Sequence, residues 1–146
     1  MTAARDTRQQ ALRELVRARR LCTQAELAAA LRERGFDVAQ ATVSRDIASL
    51  GLHKAADGSY VLPEDLALQA RVAQAGVQTR HALNQAIVIT TPGSANSVAA
   101  AIDAARPEGV LATIAGDDTI LVVCADEQAA QAFAGYVDGL LAGAKR

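Results

Sequence analysis

A capping box, two glycine stops and an Asp-Gly turn punctuate residues 1–63, leaving room only for short helices and one hairpin. Thr23-Gln24-Ala25-Glu26 is the box: the threonine oxygen and the glutamate side chain each satisfy an amide that a helix start leaves free. Leu27, Ala30 and Leu31 give that helix a buried stripe, and Gly35 ends it. Upstream, Thr7 to Arg20 reads as a first helix. Leu12, Leu15 and Val16 face inward, and Arg8, Arg13, Arg17, Arg19 and Arg20 cover its other faces. Downstream, Phe36-Asp37-Val38 is a turn, and a third helix runs from Gln40 to Leu50 with Gly51 as its stop. Two strands, Leu52–Ala55 and Ser59–Leu62, flank Asp57-Gly58, a strong hairpin signal, and Pro63 closes the unit. Three helices and a β-hairpin are the layout of a winged helix-turn-helix.

In the third helix Val43, Ile47 and Leu50 fall at i, i+4 and i+7, one inward stripe. The opposite side carries Gln40, Thr42, Ser44, Arg45, Ala48 and Ser49. Short polar side chains let such a helix sit deep in the major groove of DNA. Arg45 can reach guanine O6 and N7 with two parallel bonds, a pair that contributes about 1–3 kcal/mol of discrimination. Gln40, Thr42 and Ser44 suit phosphate or base-edge contacts near the helix start. Asp46 cannot approach phosphate and is expected to pair with a basic neighbour. The basic first helix and Lys54 in the wing are expected to meet phosphates. Charge supports this division of labour: residues 1–62 carry ten Arg and Lys against seven Asp and Glu, a net of +3. Residues 80–146 carry four against seven, a net of −3, although the whole chain sums to −1.

Beyond Pro63 the pattern changes. Residues 64–80 read as a linker, a short helix from Glu64 to Ala73 followed by an extended stretch around Val77. Residues 81–146 read as a second domain. Asn84–Thr91, Val110–Ala115 and Thr119–Ala125 are its strands, and Ser94–Ala105 is a helix. Asp126 caps a last helix with Ala130, Phe133, Val137, Leu140 and Leu141 inward. The near-continuous apolar run Thr119-Ile-Leu-Val-Val-Cys124 indicates a strand covered on both faces. Aromatics are only 3% of the chain and Trp is absent, so both cores must be aliphatic. The fold class is α+β: an N-terminal winged helix-turn-helix domain and a C-terminal α/β domain. So small a second domain is expected to bury further surface by oligomerising.

Gly116-Asp117-Asp118-Thr119 joins two of these strands. Glycine and aspartate are ordinary turn residues. The paired carboxylates are also a receptor for a cation, most naturally a guanidinium or ammonium group. A Mg²⁺ site there has no third ligand in view. Catalysis is not expected: His53 and His81 lie in the wing and the inter-domain region, with no nucleophile–base pair. Cys22 and Cys124 make neither a disulfide framework nor a metal cluster. No apolar run reaches the ~18 residues of a membrane span and residues 1–10 carry no secretory signal, so a cytoplasmic protein is expected.

Three blocks together resemble the bacterial arginine repressor family: Gln40-Ala-Thr-Val-Ser-Arg-Asp46, Thr91-Pro-Gly-Ser-Ala-Asn96 and Thr113-Ile-Ala-Gly-Asp-Asp-Thr-Ile120. The resemblance covers nearly the whole length, matching poorly only from Glu64 to His81, and Ala112 stands where many members have glycine. It implies a transcriptional repressor of arginine-biosynthesis genes, with catabolic genes as further targets in some members. Self-association into trimers, and hexamers with L-arginine as corepressor, is implied too. Ser44 and Arg45 would contact bases. Asp117 and Asp118 would hold arginine between trimers, with Thr113 and Ala115 nearby and Asn96 and Asp103 on the preceding helix. No metal is implied. A different effector, such as lysine, ornithine or a metal ion, and a small enzyme fused to a DNA-binding module are the rival expectations.

Overall fold

The computed structural model describes residues 2–145 and divides into two compact units after Pro63. In the first, α1 (Thr2–Ala18), α2 (Gln24–Glu33) and α3 (Gln40–Leu50) precede β1 (His53–Lys54) and β2 (Tyr60–Val61), which pair antiparallel. Leu12, Leu15, Leu27, Leu31 and Val43 are fully or almost fully buried at its centre, so the three helices share one aliphatic core. The capping box forms in full: Thr23 Oγ1 accepts from the Glu26 amide, and Glu26 accepts from the Thr23 and Cys22 amides. Those amides hold the Glu26 carboxyl below its ordinary value. Gly51 stops α3 at φ +65°, a left-handed conformation that costs a residue with a Cβ about 1 kcal/mol.

Two boundaries differ from expectation. The first helix begins at Thr2 and ends at Ala18, whereas periodicity placed it at Thr7 to Arg20. The added turn, Thr2 to Asp6, is polar and carries no apolar stripe to announce it. The wing strands are shorter than expected, two residues each; in the turn between them Asp57 Oδ1 accepts from the Ser59 amide and hydroxyl.

The second unit contains α4 (Pro63–Ala75), β3 (Gln78–Ala82), β4 (Gln85–Ile89), α5 (Ala95–Ala105), β5 (Val110–Ala115), β6 (Thr119–Cys124) and α6 (Glu127–Ala144). The strands form one antiparallel sheet in the order β3-β4-β6-β5, with a bulge in β5 between Val110 and Ala112. Helices α5 and α6 pack on it. Ala86, Val88, Ile120, Val122 and Cys124 point into the shared core with Val98, Ile102, Phe133 and Val137. Asp126 caps α6 as expected, accepting from the Ala129 amide.

The stretch expected as a linker belongs to this core. Leu68, Val72, Ala75 and Val77 are buried in it, because α4 presents apolar residues at i, i+4 and i+7 and docks on that stripe. Strand β3 went unrecognised in the sequence because Gln78-Thr-Arg-His-Ala82 is polar on both sides and joins the sheet through its backbone. The expectation that β6 is covered on both faces is overturned within one chain. Ile120, Val122 and Cys124 are buried, but Thr119 is exposed and Leu121 and Val123 are only half-buried. Both helices lie on one face, which leaves Ile87, Ile89, Leu121, Val123 and Ile114 on the other, with Ile114 64% exposed.

Candidate functional site

The outer side of α3 collects the residues expected to read DNA. Gln40, Ser44, Arg45 and Ala48 are exposed and Thr42 is half-buried, while Val43 and Leu50 hold the inner side. Ala39 precedes the helix and makes no side-chain cap bond to the amides at its start. Ser44 and Arg45 make no side-chain hydrogen bond or ion pair among the described residues. Their polar groups are therefore open to an outside partner. Short side chains around a free guanidinium match the shape and chemistry of a major-groove edge.

Two cations of this unit already have partners within the protein. Lys54 is exposed, and its ammonium donates to the Cys22 carbonyl and lies 4.3 Å from the centroid of the Tyr60 ring. Arg8, on the basic first helix, donates from Nε to Asp46 Oδ2 at 2.5 Å and from Nη2 to Oδ1 at 3.1 Å. Asp46 is 3% exposed, and burial disfavours its charge. Hydrogen bonds from Arg8 and Gln9, with the pull of Arg8 and Arg5, outweigh that cost and hold its carboxyl below the ordinary value. Sequence reading anticipated a basic partner for Asp46 but not which one. The signal was Arg5, Arg8 and Gln9 at i, i+3 and i+4, one helix face.

The second candidate site lies where α5 meets the β5 edge of the sheet. The turn between β5 and β6 is pinned by its backbone: Ala95 N donates to the Asp117 carbonyl at 3.1 Å, and Thr90 N to the Asp118 carbonyl at 2.7 Å. Both side chains are exposed. The Asp117 carboxylate has no partner among the described residues, and that of Asp118 accepts only the Thr119 hydroxyl, at 2.9 Å. Along α5, Asn96 and Asp103 stand seven residues apart, hence on one face, and both are exposed. Thr113 on β5 donates to Asp103 Oδ1 at 2.8 Å, and Ala115 follows Thr113 on the same side of the strand. Beside Asp103 a cleft of about 400 Å³ is lined by Ile102, Arg106, Pro107, Val110, Leu111 and Ala112. The structure thus joins Asp103 to Thr113 directly and ties the Asp117 backbone to the start of α5. Among the described residues no bond links Asn96 to the aspartates.

No described helix is long and apolar enough to cross a membrane. Comparison with known proteins covers both units. Residues 3–68 match the family model described as arginine repressor, DNA binding domain, and residues 72–138 match arginine repressor, C-terminal domain. The chain is 39% identical to the arginine repressor of Acidobacterium capsulatum over 143 residues, covering 92% of this chain and 96% of that protein. It is 47% identical to that of Anaeromyxobacter sp. (strain K) over 132 residues, 87% of this chain and 82% of the relative. Against that of Thermus thermophilus the identity is 44% over 145 residues, 92% and 88% of the two chains.

Proposed function

The chain belongs to the arginine repressor family, DNA-binding transcriptional regulators and not enzymes, and from that premise we propose an L-arginine-dependent operator switch. Gln40, Thr42, Ser44 and Arg45 read the DNA, and Lys54, exposed on the wing, supports the complex by its charge. Asn96, Asp103, Thr113, Ala115, Asp117 and Asp118 take L-arginine. The genes controlled are those of arginine biosynthesis, with catabolic genes as further targets, and the protein acts in the cytoplasm.

One observation carries this reading. The Asp117 and Asp118 backbone is pinned by two amides, while neither carboxylate pairs with a cationic side chain among the described residues. A receptor fixed before its ligand arrives loses little conformational freedom on binding. A guanidinium answers two carboxylates with forked, charge-assisted bonds, so no metal is required.

Self-association follows from charge and surface. The second unit is net negative over residues 80–146 and leaves an aliphatic sheet face open. Copies that close this face as a trimer bury Ile114, Leu121 and Val123. Trimers meeting face to face as a hexamer bring aspartates together, and a cation between them relieves their repulsion. Ligand binding and assembly are then linked, since arginine stabilises the assembly it bridges.

Calorimetry with L-arginine, lysine and ornithine tests the effector. Heat with L-arginine alone is the expected result, and binding of lysine or ornithine in its place would overturn the assignment. Asp118→Asn should weaken L-arginine binding by roughly 30-fold, the loss of one charge-assisted pair worth about 2 kcal/mol. Normal binding by that variant would remove the carboxylate receptor from consideration.

A further inference from the structure

Asp46 follows Arg45 in α3, and the two side chains have opposite fates. Arg45 is exposed, whereas Asp46 is buried against α1. Three side chains of one α1 face converge there. Arg8 grips both Asp46 oxygens, Gln9 Nε2 donates to Asp46 Oδ1 at 3.1 Å and to Ser49 Oγ at 3.3 Å, and Arg5 Nη2 donates to Ser49 Oγ at 2.9 Å. Asp46 and Ser49 stand one turn apart on α3, so the helix is held at two levels.

We infer that Arg8, Gln9 and Asp46 are positioning residues that fix the rotation of α3 about its axis, and that Arg8 is not a phosphate contact. The inference rests on α3 being the DNA-reading helix. Apolar contacts at Val43 and Leu50 are non-directional and tolerate some rolling of the helix. A forked guanidinium–carboxylate pair is directional, and neighbouring residues lie about 100° apart round a helix. Pinning Asp46 therefore sets where Arg45 points. Arg8 commits its Nε and Nη2 donors inside the protein in doing so, although its place on a basic helix suggests a role at the DNA backbone.

Equilibrium binding of the full chain separates these roles. Two duplexes are used, one selected by the wild-type chain from a randomised pool and one scrambled, each over a series of salt concentrations with L-arginine present. Arg8→Gln and Asp46→Asn should each lower affinity for the selected duplex roughly tenfold, as Arg45 loses its aim. Affinity for the scrambled duplex, and the slope of log affinity against log salt, should match the wild type. Arg8→Lys, which keeps the charge but not the fork, should fall between. Circular dichroism shows which variants are folded; if Arg8→Gln is not, the comparison is read on Arg8→Lys. A salt slope reduced by about one, with both duplexes weakened alike, would make Arg8 a phosphate contact and overturn the inference. Unchanged affinity for the selected duplex in the folded variants would overturn it too. If the wild-type chain selects no sequence, the DNA-reading assignment of α3 fails and takes this inference with it.

Discussion

Arg45 and Asp46 are adjacent, yet one is free to leave the protein surface and the other is held beneath it. That contrast decides what each substitution should do. Arg45→Ala removes a side chain with no partner among the described residues, so stability should hardly change while specific DNA binding is lost. L-arginine binding should survive, since it is assigned to the other unit, and an operator shift assay beside calorimetry checks both. Asp46→Asn leaves the Arg8 guanidinium without its counter-charge, and should cost the first unit about 2 kcal/mol near neutral pH. The pH dependence has a definite sign. Because its folded carboxyl titrates below the unfolded value of about 3.9, Asp46 adds stability above that value and loses it as pH falls through the folded one. The gap in thermal stability between wild type and Asp46→Asn should therefore be widest near neutrality and close in acid. A gap that stayed constant in acid would mean that the charge contributes nothing.

At the scale of elements, what was legible in the sequence followed from local chemistry. Helix α3 runs from Gln40 to Leu50 as its periodicity and Gly51 required, and α2 and α6 start at the threonine and aspartate that cap them. The Gly-Asp-Asp turn, too, sits between two strands as its glycine and aspartates required. What escaped was settled at long range. Arg8 and Asp46 are 38 positions apart, and no window along the chain brings them together. Strand β3 is an edge strand whose pairing with β4, not its side chains, makes it a strand. Helix α4 carried an apolar stripe, but a run rich in Ala and Gln does not say which core it joins. Gly109, by contrast, shows how local geometry fixes an element boundary: it has φ +77°, and a Cβ there would stand 2.6 Å from the Ala129 Cβ. Gly109→Ala should thus lower the melting temperature more than Gly51→Ala, whose added methyl meets nothing closer than 3.7 Å. Equal shifts in a thermal melt would count against close packing of α6 over the strand β5 entry.

For the whole molecule, the proposed assembly would give the opposite charges of the two ends of the chain separate roles. A reading head of only net +3 would gain from being joined to others, since linking raises the effective concentration of each head after the first has bound. The aliphatic run of β6, which promised burial on both faces, is covered on one face by helices, and the second face is the one assigned to neighbouring copies. Light scattering should accordingly find an oligomer of the full chain that grows when L-arginine is added, whereas a monomer at every arginine concentration would remove the linkage. That linkage is the central claim, and operator affinity measured with and without L-arginine, for wild type and Asp118→Asn side by side, tests it most directly. For a coupling of about 1–3 kcal/mol, L-arginine should tighten wild-type binding by roughly 5- to 150-fold and leave the variant almost unchanged. Equal affinity with and without L-arginine in the wild type, or the same tightening in both proteins, would contradict it.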